Sequence, residues 1–211
     1  MNVTTETEAY YFPNKMGRIV LLSLEEVMGV NGLNAVLNLA RLQAFSGNYP
    51  PADFEMAFRF ADMARLWQAI DEMYGPRGGR GLAIRAGRAC FRHGVQDFGG
   101  LLGIADVALR LIPLSWKLRL GLQVLAEIFN HYSDQQISLE ETDDAHLWIS
   151  HRCGLCWERR TSHLACGLMI GLLDETCYWL SGGKHFDVEE LTCVARGDAT
   201  CTLQLSKQPL G

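Results

Sequence analysis

The chain has 211 residues, of which 48% are hydrophobic and 20% charged, and its formal net charge is −5. This mixture is that of an ordinary folded protein, and the length is sufficient to bury a core in one domain. Because nucleic-acid-binding surfaces need clustered Lys and Arg, the negative net charge disfavours DNA or RNA as a partner.

The N-terminal segment Met1–Glu6 lacks the basic-then-apolar order of a secretory signal. The longest apolar stretch, Phe98–Trp116, is interrupted by Asp106 and Arg110, so no run reaches the roughly 18 to 20 apolar residues that span a bilayer. These features predict a cytoplasmic protein without a membrane span. Seven cysteines in a reducing compartment favour metal binding, core packing or redox chemistry over a disulfide framework.

Residues 1–133 are predicted to be mostly helical. Apolar residues at helical spacing over Leu22–Ala44, with a break near Gly29–Gly32, indicate two short helices. Asp53 is a candidate N-cap for the next helix, which is expected to end at Gly75–Pro76. Further helices are predicted over Leu82–Val95, over Leu101–Leu111, and from Pro113 through Phe129.

The pattern changes in the last part of the chain. Ile137–Thr142 and His146–His151 alternate with period two and predict a hairpin. His163–Leu180 is apolar on nearly every side and predicts a buried helix. A second hairpin is expected from Lys184–Ala195 and Ala199–Leu205.

These elements predict one α+β domain over residues 1–211. In this arrangement the helical half, residues 1–133, packs on a small antiparallel four-stranded sheet formed within residues 134–211. The buried helix lies between the two hairpins. No internal repeat or interdomain linker is visible.

The second hairpin carries the strongest chemical pattern. A three-residue loop centred on Gly197 would place Cys193 directly opposite Cys201, with Cβ atoms about 4.5 to 5.5 Å apart. Such a pair suits a shared metal ion or a cross-strand disulfide. Glu190 would face the other side of a regular strand, so a bulge near Leu191–Thr192 is needed to bring its carboxylate to the thiols.

The other cysteines divide into three groups. Cys166 falls in the first turn of the predicted buried helix, where the dipole favours a thiolate. Cys177 lies about 16 Å farther along that helix at 1.5 Å per residue, so core packing is the simpler interpretation, as it is for Cys90. Cys153 and Cys156 form a C-x-x-C pair that could bind a metal separately, act as a redox couple or remain unligated thiols.

Taken together, these residues resemble the 4-vinyl reductase domain family, whose fold is similar to that of trafficking-particle (TRAPP) subunits. The resemblance rests on a motif between residues 166 and 203, with weaker support from Gly81–Arg88. The residues that carry the motif are Cys166, Gly167, Gly171, Leu172, Leu173, Glu190, Cys193, Ala195, Gly197, Asp198, Cys201 and Leu203.

The resemblance implies a zinc ion and a small-molecule pocket. In phenol-sensing relatives zinc is held by three cysteines and a glutamate, which match Cys166, Glu190, Cys193 and Cys201. A homodimer and a hydrophobic or aromatic ligand are also implied. Aromatic residues around the predicted sheet are candidates for the pocket lining: Phe129, Tyr132, Trp148, Trp157 and Trp179.

Three functions follow as hypotheses. The leading one is a zinc-containing binding domain for a hydrophobic ring compound. The second is bacteriochlorophyll metabolism, as a 4-vinyl reductase acting on a divinyl chlorophyllide or as a pigment carrier. The third is a protein-assembly module. No catalytic residue is assigned, because the chain lacks a nicotinamide or flavin fingerprint and a nucleophile motif, and this favours binding over catalysis.

Overall fold

The computed structural model describes residues 9–109 and 112–210, and the side chains of residues 98–109 lie outside that description. The N-terminal segment Met1–Glu6 is therefore outside the described residues. The elements, in chain order, are β1 (Tyr11–Pro13), α1 (Asn14–Leu39), β2 (Met56–Arg59), α2 (Phe60–Leu109), α3 (Leu114–Tyr132), β3 (Gln136–Glu141), β4 (Ala145–Arg152), α4 (Gly167–Ser181), β5 (Phe186–Thr192) and β6 (Cys201–Pro209).

Two long helices are broken at glycines. Gly29 in α1 has φ 75° and ψ 164°, and Gly75 in α2 has φ 70° and ψ 164°. L-residues with a side chain rarely adopt these angles, so glycine permits a sharp change of direction between two helical segments. Both breaks fall where the sequence predicts them, although the helices extend beyond the predicted bounds.

Helix α1 reaches the length and apolar composition of a membrane-crossing helix. Part of its apolar surface lies in the core, where Leu21, Leu24, Val36 and Leu37 have no exposed surface, whereas Val30 and Leu39 are exposed. The apolar composition of α1 therefore accounts for one wall of the core.

A two-stranded sheet lies where a helix is expected. Met56–Arg59 pairs antiparallel with Tyr11–Pro13, so the helix predicted from Asp53 begins only at Phe60. Asp53 instead accepts hydrogen bonds from the Asn14 side chain and from the Glu55 amide. Strands this short gain their stability from the partner strand, which local sequence does not reveal.

The main sheet has the strand order β3-β4-β6-β5, with every neighbouring pair antiparallel. One face of β4 turns towards the helices, where Trp148 is fully buried and packs edge-on against Phe129 of α3. The prediction of an α+β domain with a helical first half is confirmed at this level.

Helix α4 crosses α2 at van der Waals distance through two glycines. A Cβ atom built on Gly87 would lie 2.7 Å from the Leu172 amide nitrogen, and one built on Gly171 would lie 2.7 Å from the Ile84 carbonyl carbon. The two backbones therefore touch without intervening side chains. This contact fixes α4, and with it Cys166 at its N-cap, against the long helix.

Candidate functional site

Five cysteine thiols meet in one buried cluster beneath the sheet. They are Cys153 and Cys156 in the loop after β4, Cys166 at the start of α4, Cys193 at the end of β5, and Cys201 at the start of β6. Each has at most 7% of its surface exposed. We call this set the thiol cluster.

Neighbouring sulfur atoms of the cluster lie in contact. Cys156 Sγ is 3.4 Å from Cys166 Sγ and 3.5 Å from Cys193 Sγ, and Cys153 Sγ is 3.8 Å from Cys166 Sγ. The sulfurs of Cys153, Cys156, Cys166 and Cys201 all lie within 4.8 Å of one another. The sequence assigns Cys153 and Cys156 to a separate pair, whereas the structure joins them to the other three.

Hydrogen bonding within the cluster perturbs the thiols in opposite directions. Hydrogen bonds from Cys156 and Cys166 lower the pKa of Cys193, and those from Cys156, Cys166 and Cys201 lower that of Cys153. The hydrogen bond to Cys153 raises the pKa of Cys166, and burial acts in the same direction. Contact between the sulfurs therefore favours the charged form at Cys193 and Cys153 and the neutral form at Cys166.

The hairpin that carries Cys193 and Cys201 departs from the predicted geometry. Pairing ends at Thr192 and Thr202, and a helical turn over Val194–Arg196 replaces the three-residue loop. The Val194 amide donates to Cys201 Sγ at 3.2 Å. A register shift between Glu190 and Thr192 provides the irregularity that a regular strand lacks and that allows the glutamate to turn inward.

Glu190 uses its carboxylate to cap α4. The amides of Ala165 and Cys166 donate to it at 3.0 to 3.1 Å, and Arg80 donates to Oε2 at 3.1 Å. A carboxylate at a helix N-terminus satisfies amides that lack a partner within the helix and interacts favourably with the helix dipole. Cys166 lies at the N-cap of α4, one turn earlier in the helix than the sequence predicts.

The buried position of Glu190 predicts a pH-dependent stability. Burial, reinforced by the Cys193 charge, raises the pKa of Glu190 to about 7 from 4.5. The folded chain then holds this proton more tightly than the unfolded chain. The resulting stabilisation is complete below about pH 4.5 and is lost as the pH rises through about 7.

The expected fall in the free energy of unfolding is on the order of 3 kcal/mol between about pH 5 and pH 8. Glu190→Gln should remove most of this fall, while Glu189→Gln, at the exposed neighbouring position, should keep it. Denaturant unfolding at several pH values measures how the free energy of unfolding changes with pH in each variant. If it fell equally with pH in the wild-type and Glu190→Gln chains, Glu190 would not be the source of the pH dependence.

A second candidate site is an apolar cavity of about 110 Å³ between α1, α2, α3 and α4. The residues that line it are Phe12, Met16, Ile19, Val20, Met63, Cys90, Phe91, Gly94, Val95, Leu125, Ile128, Phe129, Gln135, Leu155, Leu168, Met169 and Leu172. Of the five aromatic residues predicted to line a pocket, Phe129 lies here. The lining residues follow the same apolar spacing as the other core residues of their helices. The sequence therefore does not distinguish residues that line a cavity from residues that fill the core.

The other four predicted aromatics pack elsewhere. Trp148 fills the space between sheet and α3, Tyr132 packs against Phe54, and Trp157 packs edge-on against Tyr10. Trp179 contacts Phe91 at the surface with 38% of its area exposed. These rings stabilise the fold and do not face the cavity.

Comparison with known proteins gives a match at the level of structure. No family model and no curated protein matches the sequence. An Fe(II) unliganded H-NOX protein from K. algicida superposes with a TM-score of 0.58 and 14% identity, covering 92% of this chain and 95% of that one. An S. oneidensis H-NOX protein in its Fe(II)NO state gives a TM-score of 0.55 and 12% identity, covering 92% and 98%.

A third structure, from work on heme distortion in the H-NOX family, has a TM-score of 0.52 and 12% identity and covers 94% of this chain and 97% of that one. This chain has the H-NOX fold. The name stands for heme-nitric oxide/oxygen binding domains. At these identities the likeness concerns the arrangement of helices and strands.

The H-NOX fold overturns the family resemblance drawn from the cysteine motif. The assignment to the 4-vinyl reductase domain family, with its TRAPP-like fold, is wrong, because the structural neighbours are H-NOX domains. The zinc-containing aromatic-binding function, the bacteriochlorophyll role and the protein-assembly alternative fall with it. Zinc as the cofactor is likewise wrong, since the H-NOX neighbours are haem and iron proteins.

The cavity can be tested for its fit to haem. Haem needs an axial ligand, cationic partners for two carboxylates, and room for a planar macrocycle. The described lining residues include no histidine, tyrosine, lysine or arginine. Burial raises the pKa of Cys90 to about 12, which disfavours its thiolate form. The described lining and the volume of about 110 Å³ therefore do not fit haem.

Proposed function

We propose that this chain is a small-molecule-binding domain of the H-NOX fold that takes a gas-sized or compact apolar ligand directly in the interhelical cavity. The apolar lining of that cavity carries the proposal. Seventeen residues from all four helices and the adjoining loops form it, and Cys90 and Gln135 are the only ones with polar side chains. The cavity size supports the ligand class, because apolar cavities of about 150 Å³ take up xenon or benzene.

The fold supports a sensing role for such binding. One H-NOX neighbour is described in an Fe(II)NO state, which is a diatomic gas on iron. In this chain the described lining of the cavity contains no charged side chain. A gas or compact apolar molecule would therefore be held by dispersion and by the release of ordered water. A cytoplasmic location and homodimerisation stay predictions.

Methionine methyl groups provide the test. Met16, Met63 and Met169 line the cavity, whereas Met56 and Met73 are exposed. With methyl-13C-methionine labelling, xenon or toluene is expected to shift the NMR signals of the first three and leave the other two unchanged. Saturable shifts that indicate one site per chain would support the proposal, and uniform or absent shifts would refute it.

Two variants sharpen this experiment. Val20→Phe fills the cavity and should abolish the shifts, whereas Val30→Phe places the same ring on the exposed face of α1 and should leave them intact. Titration with haem is a separate test. If the wild-type chain gave the absorption spectrum of bound haem and Cys90→Ser did not, haem would occupy the cavity, and direct binding of a small ligand there would be overturned.

A further inference from the structure

A polar cleft of about 410 Å³ lies between α3 and the first hairpin. Side chains of α3 form one wall, and side chains of β3 and of the start of β4 form the other. None of the described residues that line this cleft lines the apolar cavity or belongs to the thiol cluster. Its charged or titratable side chains are those of Arg119, Glu127, Glu141 and His146. We call it the α3 cleft.

His146 is a buried histidine that lines the α3 cleft and has one unpaired ring nitrogen. It has 5% of its surface exposed, and its Nε2 has no hydrogen-bond partner among the described residues. Its Nδ1 lies 3.4 Å from Glu141 Oε1, and a carboxylate beside this nitrogen favours the tautomer with the proton on Nδ1. Burial lowers the pKa of His146, so the ring is neutral at neutral pH. Nε2 is therefore a hydrogen-bond acceptor that lacks a donor.

The direction of the His146 side chain follows from the strand that carries it. His146 and Trp148 are two residues apart on β4, so both side chains project from the same face of the sheet. Trp148 packs edge-on against Phe129 of α3, which places His146 on the side of α3 as well. Because buried polar groups in proteins are nearly always paired, an unpaired acceptor beside a cleft of this volume indicates a donor supplied by a bound molecule.

Two other side chains of the α3 cleft have unused binding capacity. Glu127 is exposed and forms no ion pair with the described residues. Arg119 Nε lies 3.2 Å from Glu141 Oε1, whereas the two terminal nitrogens of Arg119 have no partner among those residues. Lys207 Nζ lies 3.5 Å from Glu141 Oε2, so the charge of Glu141 is satisfied within the protein. The cleft thus offers one carboxylate and one guanidinium edge to a ligand.

The spacing of these groups indicates a molecule rather than a metal ion. Arg119 and Glu127 lie eight residues apart on α3, about 12 Å along the axis at 1.5 Å per residue. Among the described residues, the groups whose metal-binding atoms lie within 4.8 Å of one another include neither Glu127 nor His146. A ligand that pairs with both Arg119 and Glu127 therefore carries opposite charges on separate atoms.

We propose that the α3 cleft binds a small amino carboxylate, whose carboxylate pairs with Arg119 and whose protonated amine donates to Glu127 and to His146 Nε2. The local charges support a ligand without net charge, because Arg119 and Lys207 balance Glu127 and Glu141. Glu141 is a positioning residue, since it fixes the tautomer in which His146 accepts the hydrogen bond. The site is separate from the apolar cavity, and neither site needs the other.

Nitrogen-15 NMR of the histidine rings provides the test. The full chain is labelled with 15N-histidine and titrated with γ-aminobutyrate or 6-aminohexanoate. At least one of the two is expected to shift the Nε2 signal of His146 saturably and to leave the exposed His185 unchanged. The carboxylate and the amine of the same chain length, butyrate with butylamine or hexanoate with hexylamine, carry one charge each. They should bind at least ten-fold more weakly than the amino carboxylate.

Two variants locate the ligand on α3 without replacing the buried histidine. Glu127→Gln removes an exposed carboxylate of the cleft and should weaken binding at least ten-fold. Glu140→Gln, at an exposed position of β3 outside the cleft, should bind like the wild-type chain. No shift with either probe, equal binding of the one-charge compounds, or unchanged binding by Glu127→Gln would each overturn the proposal. The cavity experiment reads methionine methyl groups that do not line this cleft, so the two proposals fail independently.

Discussion

Gly171→Ala is expected to lower the free energy of unfolding by about 3 to 5 kcal/mol, or to prevent folding altogether. The added methyl group would overlap the carbonyl oxygen of Ile84 and lie 2.7 Å from the carbonyl carbon. Both are backbone atoms of α2, so no side-chain rotation relieves the overlap. The helices would have to separate, and the contacts between α4 and α2 would be lost along both helices.

Gly81→Ala is the matched control, because it adds the same methyl group to α2 at an exposed position where nothing lies within 4 Å. There the reduced entropy of the unfolded chain should stabilise the protein by about 0.5 to 1 kcal/mol. Denaturant or thermal unfolding compares the two variants with the wild-type chain. If Gly171→Ala unfolded like the wild type, the close helix contact would be disproved.

Asp71→Ala is expected to cost about 3 to 5 kcal/mol, because it leaves a buried guanidinium without a counter-charge. Arg159 lies in the loop between Cys156 and Cys166 with 6% of its surface exposed. It donates to Asp71 Oδ2 at 2.7 Å and to the Leu155 carbonyl at 2.9 Å. The ion pair ties the loop that carries two of the cluster thiols to α2.

Two comparisons isolate the charge effect. Asp62→Ala removes a more exposed pair with Arg65 and should change stability by about 1 kcal/mol or less. The double variant Asp71→Ala with Arg159→Met removes both charges and should recover most of the lost stability. If the double variant were as unstable as Asp71→Ala alone, loss of packing rather than the unpaired charge would explain the effect.

The helical half of the fold is predictable because its signals are local. Helical spacing and the glycines at positions 29 and 75 indicate the helical regions and these two breaks, which the structure confirms, whereas the helices predicted separately over Leu82–Val95 and from Leu101 are parts of α2. Strand β2 is missed because Met56–Arg59 is short and mostly exposed, and its partner Tyr11–Pro13 lies some forty residues earlier. A pairing over that separation leaves no periodicity in either segment.

The thiol cluster is only partly predictable. Spacing around Gly197 places Cys193 near Cys201, whereas a bulge near Glu190 is, from the sequence, only the condition for its carboxylate to reach the thiols; the structure has a register shift there. Cys153 and Cys156 reach the same point through contacts between distant segments, such as the ion pair between Arg159 and Asp71, which local pattern does not encode. The family resemblance misleads for a related reason, since a short cysteine motif can occur in different folds, whereas the whole-chain superposition reports the fold itself.

Helix α4 joins the two candidate sites through a single rigid element. Cys166 caps its first turn, and the next two turns present Leu168, Met169 and Leu172 to the cavity. A molecule that enters the cavity therefore contacts the same helix whose N-cap residue belongs to the thiol cluster. By thermodynamic reciprocity, any chemical change at the cluster that alters the affinity of the cavity for its ligand is itself favoured or disfavoured to the same extent when that ligand binds.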